Sequence, residues 1–285
     1  MLLIIKMSIA YAPEFKLYHI FKREMPKTDI DDIIERNKII IDKELLYMYM
    51  RSIDEIKNIK HYDITVKSDK ELALFLFKKD KVDYIYNVCA LEGNPMTFPE
   101  VQTLLDGVTV GGHKIDDEQQ ILNQNKSVAL LFSMLQNKEF KLDKEIFCKL
   151  NYPVSLGESL KPGEFRTGQV TIGGTDYIPQ KAEELDELFD KGVKEISNIG
   201  NPVIRSFVFF GFGSKHQFFW DGNKRTSRLT ANGVLLENGY PALNIKARDA
   251  LEFNKTMIEF YNSGNYNVLL SYLLPYYEKS NNPEK

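Results

Sequence analysis

Residues 215–229, KHQFFWDGNKRTSRL, contain residue types that together can bind a phosphate group. Gly222 lets the backbone approach an anion closely, because it carries no side chain. Arg225 and Arg228 lie three residues apart, so on a helix their guanidinium groups share one face. Asp221 offers hard oxygen ligands, which suit Mg²⁺ shared with phosphate oxygens. This spacing predicts a site for a phosphate-bearing ligand and Mg²⁺.

The flanking segments predict that this stretch lies at the N-terminus of a helix. PVIRSFVFFGFG, residues 202–213, is apolar nearly all round and predicts a buried central helix. Residues 226–239 continue as a helix to Gly239, with Pro241 as a stop. Unpaired N–H groups and a partial positive charge at a helix N-terminus favour phosphate. Asn223 can both donate and accept hydrogen bonds at that point.

Most of the remaining chain has apolar positions at helical spacing. We expect helices within residues 28–56, 69–93, 97–107, 116–150, 182–196 and 249–277. The exception is residues 160–180, LKPGEFRTGQVTIGGTDYIPQ, where Val170 and Ile172 alternate before the pair Gly173-Gly174. That pattern predicts a β-hairpin. The fold class is therefore mainly α with one small β-hairpin.

Composition excludes several classes of protein. The chain has 285 residues, a net charge of −3 and 43% hydrophobic residues, which is typical of a soluble globular protein. No long basic run indicates a nucleic-acid partner. The opening MLLIIKM is neither a signal peptide nor a membrane span, so we expect a cytoplasmic protein without a membrane partner. Cys89 and Cys148 lie in apolar surroundings and are interpreted as reduced thiols.

Residues 215–229 resemble the signature of Fic-domain proteins, HxFxDGN(G/K)RxxR. The residues in register are Phe219, Asp221, Gly222, Asn223, Lys224, Arg225 and Arg228. EGNPMTFPEV, beginning at Glu92, resembles the inhibitory-helix segment of the family. PGEFRTGQVTIGG, followed by Pro179, resembles its pre-flap arginine and flap hairpin. The similarity covers residues 70 to 275, so the chain is identified as resembling the Fic/Doc family.

The resemblance implies a Fic-fold helical bundle with a β-hairpin flap and a helical N-terminal extension. We therefore divide the chain into an extension, 1–70, of unknown function, and a Fic-like domain, 71–285. Within that domain the inhibitory segment is expected near 88–94, the flap near 166–179 and the core motif at 216–228. The implied activity is AMP transfer from ATP to a hydroxyl group of a target protein, with a homodimer as a possible assembly.

The resemblance also implies a role for each matching residue. Asp221 would bind Mg²⁺, and Glu92 would inhibit by pairing with Arg228, which otherwise binds the γ-phosphate. The residues expected to hold the nucleotide phosphates are Gly222, Asn223, Lys224, Arg225 and Arg228. A carboxylate that occupies Arg228 would block the phosphate that needs it, which makes chemical sense without the family.

The sequence departs from the family at the general base. The family histidine stands four residues before the carboxylate, where this chain has Gln217; His216 comes one residue too early. An amide cannot accept a proton near pH 7, and a shift of one residue on a helix rotates a side chain by about 100°. Three interpretations remain: His216 is structural and the site only binds nucleotide, a distorted helix end brings His216 into place, or Gln217 orients the hydroxyl for a weaker activity.

Two further departures concern regulation and reaction type. Lys224 stands where many AMP-transferring members have glycine and resembles the Doc branch, which moves the γ-phosphoryl group instead. Val88 replaces the usual Ser or Thr four residues before Glu92, so the inhibitory contact is expected to be looser. The hypotheses are thus a self-inhibited adenylyltransferase, a catalytically degenerate nucleotide-binding protein or a Doc-like phosphotransferase.

Overall fold

The computed structural model describes residues 55–282, which fold as a set of α-helices joined by short loops. In chain order the helices are α1 (Lys70–Lys79), α2 (Lys81–Ala90), α3 (Phe98–Leu105), α4 (Ile115–Gln136), α5 (Lys144–Val154), α6 (Leu185–Ser197), α7 (Pro202–His216), α8 (Asn223–Glu237), α9 (Ala250–Ser263) and α10 (Tyr266–Asn281). Short 3₁₀ turns at Ala182–Glu184 and Ala247–Asp249 precede α6 and α9. The predicted mainly α fold is confirmed. No helix in this part of the chain is long and apolar enough to cross a membrane.

Helices α7 and α8 form the centre of the structure and carry the motif between them. Asn201 caps α7 by accepting hydrogen bonds from Val203 N and Ile204 N, and Pro202 occupies the first turn. The apolar side chains of α7 from Val203 to Phe212 are almost completely buried. A Cβ on Gly213 would lie 2.3 Å from Ser227 Oγ of α8, so glycine is needed for the two helices to approach here.

Residues 70–105, which include the segment 88–94 expected to be inhibitory, form the two short helices α1 and α2 and the helix α3. Helix α3 begins with a capping box. Helices α1 and α2 end before Gly93, whose φ of 88° lies in the left-handed region. Thr97 N and Thr97 Oγ1 each donate a hydrogen bond to Glu100 Oε2 at 2.7 Å, and Thr97 and Glu100 form a capping box at the start of α3. These hydrogen bonds, followed by one from His113, lower the pKa of Glu100 to about 2.

The single helix expected over residues 116–150 is wrong, because α4 and α5 are separate. Helix α4 ends at Gln136, and Lys138 adopts a left-handed φ of 59° that a helix cannot continue through. Asp143 then starts α5 by accepting a hydrogen bond from Ile146 N at 2.9 Å. Helical spacing of apolar residues persists across the break, which is why the pattern alone did not reveal it.

The expected β-hairpin is also wrong in detail: residues 160–181 contain no β-strand. The segment does turn at Gly174, where φ is 81°. Its carbonyl groups, however, bond to side chains instead of an opposing strand. Arg166 donates to the carbonyl oxygens of Gly168 and Gln180, and Gln169 Nε2 donates to Pro179 O. Side-chain donors therefore replace the backbone ladder, and we call residues 166–180 the flap loop.

The helix expected over residues 28–56 lies outside the described residues except for its last two positions. Residues 59–69 are not helical and run beside α10. Lys60 N donates to Asn267 Oδ1 at 2.9 Å, and Thr65 N donates to Glu278 Oε1 at 2.7 Å. Ile56 and Val66 are buried in the same core as α7. The division of the chain at residue 70 stays a prediction.

Candidate active site

A six-residue loop, 217–222, joins α7 to α8 and is braced from within. Gln217 ends α7 in a left-handed conformation, with φ 50° and ψ 62°. The Asn223 amide then bridges the loop: its Oδ1 accepts from Phe219 N at 2.8 Å, and its Nδ2 donates to Phe219 O at 2.8 Å. The same Nδ2 donates to Gln217 Oε1 at 3.0 Å. The side chain of Asn223 therefore stabilises the loop in this conformation.

Gly222 brings the loop into contact with α5. Its φ is 74°, and a Cβ there would lie 2.8 Å from Val154 Cγ1. The Asn151 side chain of α5 donates to Asp221 O at 3.1 Å and to Thr226 Oγ1 at 3.0 Å. Only glycine combines this conformation with this packing. The backbone at the start of α8 is thus held against α5, and the predicted approach of an anion to Gly222 stays a prediction.

His216 faces the protein interior and the flap loop. Its side chain has no exposed surface, and Nδ1 lies 2.6 Å from Gln180 Oε1. Its ring packs edge-on against Phe212, with centroids 4.9 Å apart. Burial, helped by the positive charges of Lys215 and Arg166, holds the pKa of His216 well below 6.5. His216 is therefore a neutral, buried side chain in this conformation.

Gln217 takes the place beside the loop. Its Nε2 donates to Ser214 O at 2.6 Å and its Oε1 accepts from Asn223, so both ends of the amide are engaged. The two neighbours thus face different surroundings, because His216 is the last residue of α7 and the left-handed backbone of Gln217 turns the chain away from the helix. The Gln217 amide, and not the His216 imidazole, therefore contacts Asn223 of the motif.

Arg166 ties the flap loop to the motif. It is 2% exposed, and its Nε donates to Gln217 O at 2.6 Å while its other nitrogens donate to the flap carbonyls. Arg166 N also donates to Phe218 O at 2.8 Å. One buried arginine therefore fixes the flap loop relative to the end of α7.

Arg225 is held between two carboxylates. Its Nη1 and Nη2 donate to Glu158 Oε1 and Oε2 at 3.0 and 2.7 Å, and Nη2 also lies 3.1 Å from Asp221 Oδ1. Burial opposes the charge of Arg225, but the Glu158 hydrogen bonds and charge outweigh it, so the pKa of Arg225 is raised. Arg225 remains a cation whose charge is already compensated.

Glu92 lies between Lys224 and Arg228. Its Oε2 is 2.9 Å from Lys224 Nζ, and its Oε1 is 3.5 Å from Arg228 Nη2. Arg228 is 1% exposed, and its Nε and Nη1 have no hydrogen-bond partner among residues 55–282. The predicted contact between Glu92 and Arg228 is present, and it leaves buried donors of Arg228 unused. Lys224, which could have been a solvent-facing residue, makes the shorter contact to Glu92.

Asp221 is the motif carboxylate that the sequence predicts as a Mg²⁺ ligand. Its side chain is 47% exposed, and Oδ1 contacts Arg225 and the backbone N–H of Gly222. Within residues 55–282, no group of three or more His, Cys, Asp or Glu side chains is arranged to hold a metal ion. One accessible carboxylate fits a Mg²⁺ ion that takes its other ligands from nucleotide phosphates and water.

Some residues at the site were not identified from the sequence. Glu158 and Gln180 reach the motif from distant loops, and Asn151 does so from α5. None lies in a motif of its own. Gln180 directly follows Pro179 in the expected flap, which was the only local signal for any of them. The Trp220 ring covers Gly168 of the flap loop.

Comparison with known proteins gives a consistent result. Residues 141–235 match the Fic/DOC family. Two curated relatives are both named protein adenylyltransferase Fic. One, from Drosophila mojavensis, is 25% identical over 247 residues, covering 85% of this chain and 47% of that protein. The other, from Aedes aegypti, is 28% identical over 187 residues, covering 63% and 37%. The chain thus spans about half the length of the first of these relatives.

Solved structures show the same fold. Fic-1, residues 134–508, from C. elegans aligns with a TM-score of 0.65 and 18% identity, covering 96% of this chain and 78% of that one. A Fic-domain-containing signalling protein from Bacteroides thetaiotaomicron aligns with a TM-score of 0.61 and 20% identity, covering 81% and 93%. The helical Fic fold expected from the sequence is confirmed.

Proposed function

We propose that this chain, whose residues 141–235 form a Fic/DOC-family domain, is a protein adenylyltransferase that Glu92 holds inactive. The names of the curated relatives support AMP transfer as the reaction. The observation that carries the proposal is Arg228: a buried guanidinium that faces the Glu92 carboxylate and has two further donors without partners. Such a group is suited to an anion that replaces Glu92.

ATP is the anion that we assign to the site. Its phosphates would lie against the backbone at Gly222 and Asn223, where the first turn of α8 has N–H groups without intrahelical partners; the Gly222 N–H would first have to leave Asp221 Oδ1. Lys224 and Arg228 would pair with the outer phosphates once Glu92 moves away. Asp221 would share Mg²⁺ with the phosphates, and the ion would neutralise charge on the phosphate oxygens. Arg225 would contribute only after release from Glu158.

Inhibition follows from competition for the same cations. Glu92 and the γ-phosphate both need Lys224 and Arg228, so ATP has to displace the carboxylate before it binds in the orientation for transfer. Glu92 contacts two cations, at 2.9 and 3.5 Å, and its side chain is 17% exposed. Removing one partner of a partly desolvated contact of this kind has a larger effect than breaking a surface ion pair, because it leaves a buried charge uncompensated.

In the proposed reaction, a target hydroxyl oxygen attacks the α-phosphorus of ATP. A new bond forms from this oxygen to phosphorus, the bond to the bridging oxygen of pyrophosphate breaks, and pyrophosphate leaves. The hydroxyl proton has to go to a base, which Gln217 cannot be. In this conformation His216 is bonded to Gln180 and buried. We therefore propose that Gln217 orients the hydroxyl, that the hydroxyl proton passes to solvent water, and that transfer is slow for lack of a positioned base.

A second candidate is a nucleotide-binding protein without transferase activity. The burial of His216 and the engaged amide of Gln217 favour it: among residues 55–282 the Nε2 of His216 has no hydrogen-bond partner, but it is buried, and an amide is not basic. A Doc-like phosphotransferase is a third candidate. The residue that suggests this candidate is Lys224. In the structure Lys224 contacts Glu92, so its position favours neither orientation of ATP.

The ATP-binding part of the proposal is tested with Glu92→Gln, which removes the charge and keeps the shape. Loss of one charge-assisted contact is worth about 2–3 kcal/mol, or roughly 30- to 150-fold in Kd. Isothermal titration calorimetry with ATP and Mg²⁺ should show tightening within this range. Glu164→Gln is the control, since Glu164 is exposed and pairs only weakly with Lys161 at 3.7 Å. Equal affinities of the two variants would refute the inhibitory role.

Several expectations remain predictions from the sequence. They are a protein target with an accessible hydroxyl group, a cytoplasmic location, a possible homodimer and the N-terminal extension 1–70. No mass increase from AMP should appear on the target or on the wild-type protein until Glu92 is displaced. Size-exclusion chromatography with light scattering measures the assembly directly.

A further inference from the structure

Glu158 makes a contact that the proposed function does not use. It lies in the loop after α5 and is 67 residues from Arg225 in sequence. Its two oxygens accept from Nη1 and Nη2 of Arg225 at 3.0 and 2.7 Å. This two-pronged geometry is the strongest form of an arginine–carboxylate pair. No other arginine in the motif is held in this way, since Arg228 meets Glu92 through one nitrogen.

The remaining hydrogens on the two terminal nitrogens of Arg225 also face protein acceptors. Nη1 lies 3.4 Å from Val154 O, and Nη2 lies 3.1 Å from Asp221 Oδ1. Two carboxylates therefore surround one cation, and the group as a whole carries a net charge of about −1 at neutral pH. A phosphate approaching Arg225 would meet this negative charge and find the terminal donors occupied.

Glu158 is also connected to the segment that contains Glu92. Gln120 Nε2 of α4 donates to Glu158 Oε2 at 3.4 Å, and Asn94 Nδ2 donates to Gln120 Oε1 at 3.0 Å. Asn94 is two residues after Glu92. Residues 92–94 thus reach both motif arginines: Glu92 contacts Arg228 directly, and Asn94 reaches Arg225 through Gln120 and Glu158.

We propose that Glu158 is a second inhibitory carboxylate, which blocks Arg225 as Glu92 blocks Arg228, and that Gln120 and Asn94 couple the two contacts. The inference rests on the proposed function, because ATP phosphate is the ligand that both carboxylates exclude. Glu158 is the partner with room to move: its side chain is 25% exposed, whereas that of Arg225 is 5% exposed. Release of Glu158 leaves the guanidinium fork in place to accept a phosphate.

Titration calorimetry with ATP in EDTA tests this inference without metal or catalysis as a variable. The variants are Glu158→Gln, Glu92→Gln and the control Glu164→Gln, which removes the same charge from the same loop region. Glu158→Gln should tighten ATP binding at least fivefold, the lower limit of typical coupling between sites. Adenosine, which has no phosphate, should bind equally to all three. Gln120→Ala should tighten ATP binding less than Glu158→Gln does. The double variant Gln120→Ala/Glu158→Gln should bind ATP as tightly as Glu158→Gln alone.

The outcomes separate the inference from the proposed function. If Glu92→Gln tightens ATP binding and Glu158→Gln matches Glu164→Gln, the inference is overturned and the proposed function stands. If no variant binds ATP either here or in the titration with Mg²⁺, both fall. Thermal unfolding checks the fold of each variant. If Glu158→Gln is unfolded, Glu158→Asp replaces it: the charge stays but the shorter side chain breaks the two-pronged contact, so tighter binding supports the inference and unchanged binding overturns it.

Discussion

Arg166 provides the sharpest stability prediction, because one buried side chain joins the flap loop to the motif. Arg166→Met keeps the length and apolar volume but removes the donors to the carbonyl oxygens of Gln217, Gly168 and Gln180. A hydrogen bond from a charged donor contributes about 1.5–3 kcal/mol. Burial lowers the pKa of Arg166, a sign of the desolvation that offsets part of this gain. We therefore use the lower limit and expect a loss of about 4 kcal/mol in the free energy of unfolding.

A loss of this size is a large fraction of the roughly 5–15 kcal/mol that stabilises a domain. Urea denaturation measures it, and Trp220, the single tryptophan of the chain, is a local fluorescent probe because its ring covers Gly168 of the flap loop. Arg248→Met is the matched control, since the Arg248 side chain is 83% exposed; its effect should stay below about 0.5 kcal/mol. A loss under about 1 kcal/mol for Arg166→Met would refute the assignment of Arg166 as the residue that fixes the flap loop.

Three further predictions concern the loop, pH and the inhibitory segment. Gly222→Ala should lower the free energy of unfolding by about 1–2 kcal/mol through its left-handed φ alone, and by more through the contact with Val154. It should also weaken ATP binding in calorimetry. Unchanged stability would show that the loop is free to move. The pKa of His216 is lower in the folded than in the unfolded state, so at low pH the unfolded state binds the extra proton. The stability of the wild type against urea should therefore fall relative to that of His216→Asn as the pH drops below about 6.5. Parallel pH profiles of the two proteins would contradict this. Thr97→Ala should cost about 1 kcal/mol by removing the cap of α3, against no loss for Thr256→Ala on an exposed helix surface.

The sequence predicted the central part of the site because its residues are neighbours in the chain. The spacing from Asp221 to Arg228 on one helix start, and the buried helix before it, depend on local rules of helix geometry. The sequence left the positions of His216 and Gln217 open; in the structure the imidazole is buried and the amide bonds to Asn223 of the motif. Which of them takes part in catalysis stays a prediction.

The parts that failed or were missed depend on contacts between distant residues. The flap was expected as a hairpin because Val170 and Ile172 alternate around a glycine turn, yet Arg166 and Gln169 supply the hydrogen bonds that a strand partner would have made. Glu158 was not identified because nothing in its local sequence marks an acid that pairs with Arg225. Long-range partners of buried charges are set by tertiary packing, which periodicity does not encode.

The most direct test of the central claim follows radioactive label from ATP to protein. Glu92→Gln and the double variant Glu92→Gln/Gln217→His are incubated with Mg²⁺ and either [α-³²P]ATP or [γ-³²P]ATP, with bacterial lysate as a source of target hydroxyl groups. The account predicts α-label on protein, faint with Glu92→Gln and increased about 10²- to 10⁴-fold when the histidine supplies a general base. Label from the γ-position alone would mean phosphate transfer. A double variant that binds ATP but transfers neither label would contradict an adenylyltransferase function.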